Sequence, residues 1–257
     1  MPIRSLIAML LLAPLTLAQD PAPPLFAADT PIIDYQNPLL PSYGRVGMVV
    51  SPEKLAGEIG LDMLRQGGNA IDAAVATGFA LAVTLPRAGN LGGGGFMLVH
   101  LAETDEQIFI DYRETAPAAA TRDMFLKADG AVDKAKAYFS RQAAGVPGTV
   151  AGLIHAQTQY GKLPLATVIQ PAIDLAEQGF DTPLALHMSL TSRADRLAMD
   201  PEANRIYLQG TANAPAPGVL FKQPDLAHTL QRIRDKGHDG FYGGETAALI
   251  AADMAAN

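Results

Sequence analysis

Arg113 is the side chain of this sequence whose surroundings best suit substrate binding. It follows an apolar run at residues 107–112 and stands in the segment Asp-Tyr-Arg-Glu at residues 111–114. A guanidinium at the end of a buried strand can hold a carboxylate through two parallel hydrogen bonds. Asp111 and Glu114 offer an alternative, because either neighbouring carboxylate can pair with Arg113 at the surface. From the residues alone, both roles stay open.

Other kinds of reactive centre find no support in the sequence. The five histidines, at positions 100, 155, 187, 228 and 238, include no pair at i, i+2 or i, i+4 and no HExxH pattern, so no metal site is predicted. The chain has no cysteine, which excludes thiolate chemistry and disulfides. No GxSxG segment marks a serine nucleophile. We therefore expect neither a metal nor another cofactor.

Four successive glycines, Gly92 to Gly95, precede the apolar strands. No Lys-Ser or Lys-Thr follows them, so they do not form a phosphate-binding P-loop. They stand between a predicted helix and a predicted strand, whereas a dinucleotide-binding loop runs from a strand to a helix. We interpret them as a loop that needs positive φ angles or close backbone contact.

The elements that must position Arg113 follow from the hydrophobic pattern. A strand is predicted at residues 46–50, and a helix begins with Ser51 as its N-cap and Pro52 at its first position. A mostly apolar helix follows at residues 70–84, capped by Asn69. Residues 96–101 and 107–112 predict a β-hairpin. Both strands are apolar at nearly every position, so we expect a sheet that is buried on both faces.

The rest of the chain is predicted to be mainly helical. Gly and Pro residues bound each apolar segment, and Pro171 is expected to break one of them. The predicted helices cover residues 148–160, 165–178, 183–194, 224–236 and 245–254.

The amino-acid composition and net charge are typical of a globular protein that does not bind nucleic acid. Of the 257 residues, 49% are hydrophobic and 18% are charged, which allows a sizeable core. The net charge is -7, and Lys and Arg do not cluster. A nucleic-acid surface needs such a cluster, so that class of partner is excluded.

The first residues have the pattern of a secretory signal. Arg4 precedes an apolar stretch from Leu6 to Leu17, and Thr16-Leu17-Ala18 resembles a cleavage site. The stretch is short for a membrane span of about 20 residues and contains Pro14, so no stable span is expected after cleavage. We predict a signal peptide at residues 1–18, an extended lead-in at 19–44, the main domain at 45–257, and export to the periplasm or outside the cell.

Several long motifs resemble those of the γ-glutamyltransferase family, in the same order and with similar spacing. The similarity extends from about Tyr43 to the last residue. The motifs are GGNAIDAAVA at residues 67–76, GNLGGGGF at 89–96, DYRETAP at 111–117, TRDMF at 121–125 and GVPGTVAG at 145–152.

This resemblance implies the fold class, an α+β N-terminal-nucleophile hydrolase of αββα sandwich type. It also implies a precursor that cleaves itself into large and small subunits and exposes an N-terminal threonine. That threonine attacks glutathione or another γ-glutamyl amide, and water or an acceptor amine resolves the resulting ester. The family arginine that holds the α-carboxylate of the donor lies in the Asp-Tyr-Arg-Glu motif, so the resemblance assigns this role to Arg113.

The sequence departs from the family in one large respect. No threonine is followed by Thr-His or Ser-His, so the family's nucleophile motif is missing. The resemblance therefore places no catalytic residue in this chain, and the expected partner is the small subunit of the same precursor. We expect this helix-rich segment to be the N-terminal part of the large subunit, inactive alone, with an apolar hairpin left uncovered.

Three alternatives remain beside the γ-glutamyltransferase interpretation. A related acylase acting on a β-lactam side chain, or a member that processes polyglutamate, shares the fold and the self-cleavage. A large-subunit-like binding module without catalysis belongs to a different class. Arg113 favours a donor that carries an α-carboxylate.

Overall fold

Helix α1 (Lys54–Arg65) and helix α2 (Ala70–Thr84) pack together in the computed structural model, which describes residues 43–256. The bounds predicted for α2 are confirmed. Asn69 caps it by accepting hydrogen bonds from the N–H groups of Ile71 and Asp72. Since α2 is apolar on nearly every side, it is buried on nearly every side and forms the centre of the core.

The predicted start of α1 is wrong by two residues. The helix begins at Lys54 because the Glu53 carboxylate, and not the Ser51 hydroxyl, accepts from the first free N–H groups. Ser51 instead accepts a hydrogen bond from the Glu53 N–H at 3.3 Å. The predicted strand at residues 46–50 is also wrong, because this segment pairs with no described strand.

Strands β1 (Phe96–Leu101) and β2 (Glu106–Asp111) form the predicted antiparallel hairpin, with Leu98 opposite Phe109. Val99 and Ile110 face the core and are buried. On the other face Leu98 is 75% exposed and Phe109 is 63% exposed. The prediction of a sheet buried on both faces is therefore wrong for the described residues, because their helices cover one face alone.

Further helices and two short strands complete the described chain. They are α3 (Lys134–Phe139), a 3-10 helix (Arg141–Ala143), α4 (Thr149–Tyr160), α5 (Leu165–Gln178), β3 (Phe180–Asp181), α6 (Leu184–Thr191), α7 (Ala194–Leu197), α8 (Pro201–Tyr207), β4 (Leu220–Phe221), α9 (Pro224–Lys236), α10 (Asp239–Tyr242) and α11 (Gly244–Ala256). The long helices α4, α5, α9 and α11 were predicted from sequence, whereas α3, α7, α8, α10 and the β3–β4 pair were not.

Helix α5 runs through Pro171 without the predicted break. The proline removes one backbone N–H, but Val168, Ile169, Ala172 and Ile173 around it are buried in the core. Packing of this apolar face outweighs a penalty of about 3 kcal/mol for an internal proline. The helix predicted at residues 183–194, in contrast, ends early, because α6 stops at Thr191 and the Ser192 hydroxyl donates to the Ser189 carbonyl there. Helix α7 lies almost entirely beyond the predicted range.

A buried carboxylate connects α2 to the segment between α4 and α5. Asp72 is fully buried and accepts hydrogen bonds from the Asn69 N–H at 2.7 Å and the Gln157 amide at 2.6 Å. It also accepts from the N–H groups of Lys162 and Leu163. Burial raises the pKa of Asp72, but these hydrogen bonds outweigh it and hold the pKa below its usual value.

Among residues 43–256, no helix is both long enough and apolar enough to cross a membrane. The predicted signal peptide and nearly all of the predicted lead-in lie outside the described residues, so these two assignments stay predictions.

Candidate substrate-binding site

Arg113 lies two residues beyond the end of β2, and its side chain is exposed to solvent. Its backbone N–H donates to the Asp111 carboxylate at 3.0 Å, which turns the chain out of the strand. The hairpin therefore delivers Arg113 to its end, as the sequence predicts.

The glycine loop holds one side of this segment. Gly95 and Tyr112 exchange two backbone hydrogen bonds, at 3.1 and 3.3 Å, which extend the ladder of the hairpin by one pair. No φ angle is positive between Gly92 and Gly95. The absent side chains of Gly93 to Gly95 serve close approach: a Cβ at Gly94 would lie 2.6 Å from the Tyr112 carbonyl oxygen.

The first turn of α4 holds the other side. A Cβ at Gly148 would overlap the Tyr112 carbonyl, and a Cβ at Gly152 would overlap the Tyr112 ring. The two glycines are four residues apart and so share one face of the helix. This face fits against Tyr112, just beyond the end of β2, only because Gly148 and Gly152 carry no side chains.

Two further contacts join these segments around Arg113. The Gly93 carbonyl accepts hydrogen bonds from the N–H groups of Gly148 at 2.7 Å and Thr149 at 3.0 Å. Just beyond Arg113, Thr115 and Val146 exchange two backbone hydrogen bonds, at 3.3 and 2.8 Å. The backbone of Arg113 is thus fixed on both sides, while its side chain projects into solvent.

The guanidinium of Arg113 forms no ion pair and no hydrogen bond with any of residues 43–256. Asp111 is occupied with the Arg113 backbone N–H, and the Glu114 side chain lies against Gly94 and Gly145. The alternative in which a neighbouring carboxylate pairs with Arg113 is therefore not found in the described chain. All five donors of this guanidinium remain open to an external carboxylate.

The histidines lie on separate elements, and within the described residues no three metal-ligating side chains gather together. The Nδ1 atom of His187 lies 3.0 Å from the Pro215 carbonyl. His100 lies 4.0 Å from Asp105 at the tip of the hairpin, and both side chains are largely exposed. Neither contact brings two histidines together.

Arg113 lines neither of two large clefts formed by residues 43–256. The first encloses about 620 Å³ between the start of the glycine loop at Gly89 to Gly92 and the α8–β4–α9 region. The second encloses about 560 Å³ beside the hairpin and the start of α2. Arg113 therefore lies outside these two clefts, and it is exposed to solvent.

Sequence reasoning singled out Arg113 but missed the residues that position it. Tyr112, Gly148 and Gly152 act through backbone and ring contacts that no pattern of reactive side chains reveals. The spacing of Gly148 and Gly152 at the start of a helix was the available signal, because two glycines on one helix face indicate a close neighbour.

Comparisons with known proteins identify relatives over most of the chain. Residues 56–257 match the family model described as Gamma-glutamyltranspeptidase. The chain is 42% identical over 241 residues to a glutathione hydrolase proenzyme of Escherichia coli (strain K12), a match that covers 93% of this chain and 40% of the relative. It is 38% identical over 232 residues to the Acylase ACY 1 proenzyme of Pseudomonas sp. (strain SE83), covering 88% of this chain and 41% of the relative.

A solved structure supports the same relationship. The crystal structure of Helicobacter pylori gamma-glutamyltranspeptidase matches with a TM-score of 0.82 and 43% identity, covering 85% of this chain and 62% of that one. The fold class expected from sequence is confirmed, since the helices and the hairpin form part of an α+β N-terminal-nucleophile hydrolase fold. The chain spans about 40% of the length of the two curated relatives named above.

Proposed function

This chain belongs to the gamma-glutamyltranspeptidase family, and from that premise we propose that it is the N-terminal part of an enzyme that transfers or hydrolyses γ-glutamyl groups. Glutathione and related γ-glutamyl amides are the proposed donors. One observation carries the proposal: the Arg113 backbone is fixed on both sides while its guanidinium has no partner among residues 43–256.

In this proposal Arg113 binds the α-carboxylate of the donor. Two parallel hydrogen bonds from a planar guanidinium fix both the position and the rotation of a carboxylate. Three carbon atoms separate that carboxylate from the γ-carbonyl of a glutamyl group, so a rigid grip on the carboxylate orients the reacting bond. Such orientation is a substantial part of catalysis by any nucleophilic enzyme.

The remaining chemistry is assigned to a partner, the small subunit of the same precursor. A threonine there attacks the γ-carbonyl, its own amine serves as the base, and an ester forms with release of the amine product. Water or an acceptor amine then resolves the ester. We propose that the 257-residue chain alone has no such activity, and that the precursor is exported by the signal at residues 1–18.

An acylase is the second candidate, because the Acylase ACY 1 proenzyme is 38% identical to this chain. The free guanidinium of Arg113 favours the γ-glutamyl donor, since a side chain without an α-carboxylate would leave this cation unpaired. A donor that carries both a carboxylate and a γ-amide satisfies the site as it stands.

The coding sequence and a direct assay test the proposal together. We expect an in-frame continuation past codon 257 that contains a Thr-Thr-His motif, and release of p-nitroaniline from γ-glutamyl-p-nitroanilide by the complete precursor. The 257-residue chain alone should release none above background. A complete precursor that cleaves an acyl β-lactam and not the anilide would support the acylase, and a stop codon after 257 would support the binding module.

A further inference from the structure

The N-terminus of helix α4 lies against the Arg113 backbone, and its N-cap residue has no side chain to cap the helix. Gly148 is the N-cap residue and offers no acceptor. Ser, Thr, Asp or Asn would normally serve this position, but a Cβ at residue 148 would overlap the Tyr112 carbonyl. The close approach that fixes Arg113 therefore requires that an acceptor for the first N–H groups of α4 come from elsewhere.

The phenol of Tyr242, on α10, supplies that acceptor. Its oxygen accepts a hydrogen bond from the Ala151 N–H at 3.2 Å, and its hydroxyl donates to the Pro147 carbonyl at 2.8 Å. Ala151 is the third residue of α4, whose N–H an N-cap side chain usually serves. Burial raises the pKa of Tyr242 despite the hydrogen bond from Ala151, so the hydroxyl keeps its proton at neutral pH.

Contacts within the C-terminal helices hold Tyr242 in place. A Cβ at Gly240 would overlap the Arg232 carbonyl, so α10 lies tightly against α9. The Thr246 hydroxyl donates to the Gly240 carbonyl at 2.7 Å and accepts from Arg232 Nε at 2.8 Å. The Tyr242 ring also stacks on His238, with ring centroids 4.5 Å apart. These contacts therefore hold the Tyr242 phenol oxygen in one position.

We propose that Tyr242 is a positioning residue for Arg113. It holds the first turn of α4, which donates two hydrogen bonds to Gly93 and lies against the Tyr112–Arg113 peptide. Loss of the phenol hydroxyl loosens this turn and, through it, the guanidinium. The inference rests on the proposed function of Arg113.

Hydrogen exchange on the 257-residue chain tests the structural step without any need for activity. Tyr242→Phe keeps the ring and removes both hydrogen bonds. We expect about fivefold faster exchange at the amides of Gly148, Thr149 and Ala151, which is the effect of losing a helix cap that contributes about 1 kcal/mol. Exchange at Ala156, in the middle of α4, should be unchanged. Tyr207→Phe is the matched control, because its hydroxyl forms no hydrogen bond with residues 43–256.

Two outcomes of the exchange experiment would overturn the proposal. Unchanged exchange at all three amides would show that the phenol does not cap the helix. Equal acceleration at Ala156 and at the first turn would show a general loss of packing and not a local cap.

Kinetics of the complete precursor test the link to the substrate. Tyr242→Phe should raise KM for a γ-glutamyl donor roughly three- to tenfold, with kcat and self-cleavage nearly unchanged. In an Arg113→Ala background the same change should have no further effect on KM, because the residue acts through Arg113. Additive effects on KM would overturn the positioning role.

The proposed function and the role of Tyr242 are contradicted by different results. If Arg113→Ala leaves KM unchanged, the proposed function is wrong, and the exchange result still decides whether Tyr242 caps α4. If Arg113→Ala raises KM and Tyr242→Phe does not, the proposed function stands and the inference about Tyr242 is wrong.

Discussion

The ring of Tyr112 lies directly against Gly152, with no room for a Cβ between them. Gly152 is inside helix α4, where alanine is normally preferred over glycine by about 1 kcal/mol. Steric overlap and helix propensity therefore oppose each other at this position, and the sign of one substitution separates them.

We predict that Gly152→Ala destabilises the chain by about 1–3 kcal/mol, since the overlap involves the root of the Tyr112 side chain and not its flexible end. Urea unfolding measures the change. Gly92→Ala is the control, because a Cβ there meets nothing within 4 Å and its φ angle is not positive. Equal stability of Gly152→Ala and the parent would contradict the close contact.

Arg113→Lys and Arg113→Ala should both raise KM for γ-glutamyl donors in the complete precursor. Lysine keeps the charge but loses the planar fork, so we expect a smaller rise for lysine and roughly a 10- to 100-fold rise for alanine. Self-cleavage should continue in both variants. Arg122→Ala is the control, since its side chain is 95% exposed and its one ion pair with residues 43–256 is to Asp123, at 3.6 Å. An unchanged KM in Arg113→Ala would remove the assignment.

Asp72→Asn should lower the free energy of unfolding by roughly 2–3 kcal/mol at neutral pH, because a neutral amide cannot accept from every donor that surrounds this carboxylate. Denaturant unfolding gives the value. Asp62→Asn is a matched control. Asp62 and Arg65 both lie on helix α1, next to α2, and form an exposed ion pair.

The pH dependence of the same pair of proteins gives a second test. The pKa of Asp72 is lower in the folded chain than in the unfolded chain, where an aspartate carboxyl has a pKa of about 3.9. The carboxylate therefore contributes stability above about pH 4 and loses it as the pH falls through the folded-state value. The difference between the parent and Asp72→Asn should shrink in acid, and a constant difference from pH 7 to pH 3 would refute this origin.

The open face of the hairpin should make the 257-residue chain self-associate. Leu98 and Phe109 are opposite each other on that face, and Phe96 stacks on Phe109 with centroids 5.7 Å apart. Leu98→Lys should reduce association without lowering the melting temperature, because a charge blocks strand and face contacts between copies. Sedimentation velocity measures association. Val99→Lys, on the buried face, should instead unfold the chain.

The sequence could predict those elements whose signals are local. Helix α2 was predicted with correct bounds because its cap at Asn69 and its apolar length are both in the sequence. Short elements such as α8 and the β3–β4 pair depend on tertiary contacts and carry no such signal. The strand predicted at residues 46–50 failed for a related reason, since a strand needs a partner and the described residues provide none.

At the candidate site, the sequence predicted the binding side chain, Arg113, but not the residues that hold it in position. Arg113 could be found from its residue type, from its place after an apolar run and from the family resemblance. Its setting depends on a phenol that lies 91 residues beyond Ala151 in the chain. Contacts between such distant segments follow from the packing of the whole chain, which periodicity within one segment does not report.

The hydrogen bonds from Gly148 and Thr149 to the Gly93 carbonyl also set an order of events during folding. The glycine loop and the hairpin leave the ribosome well before α4, and Tyr242 emerges later still. Because these contacts join segments far apart in the chain, they cannot form until the later segments have been synthesised. The hairpin can thus pair early, but Arg113 becomes fixed in space only when α4, held by Tyr242 of α10, packs against the Tyr112–Arg113 peptide.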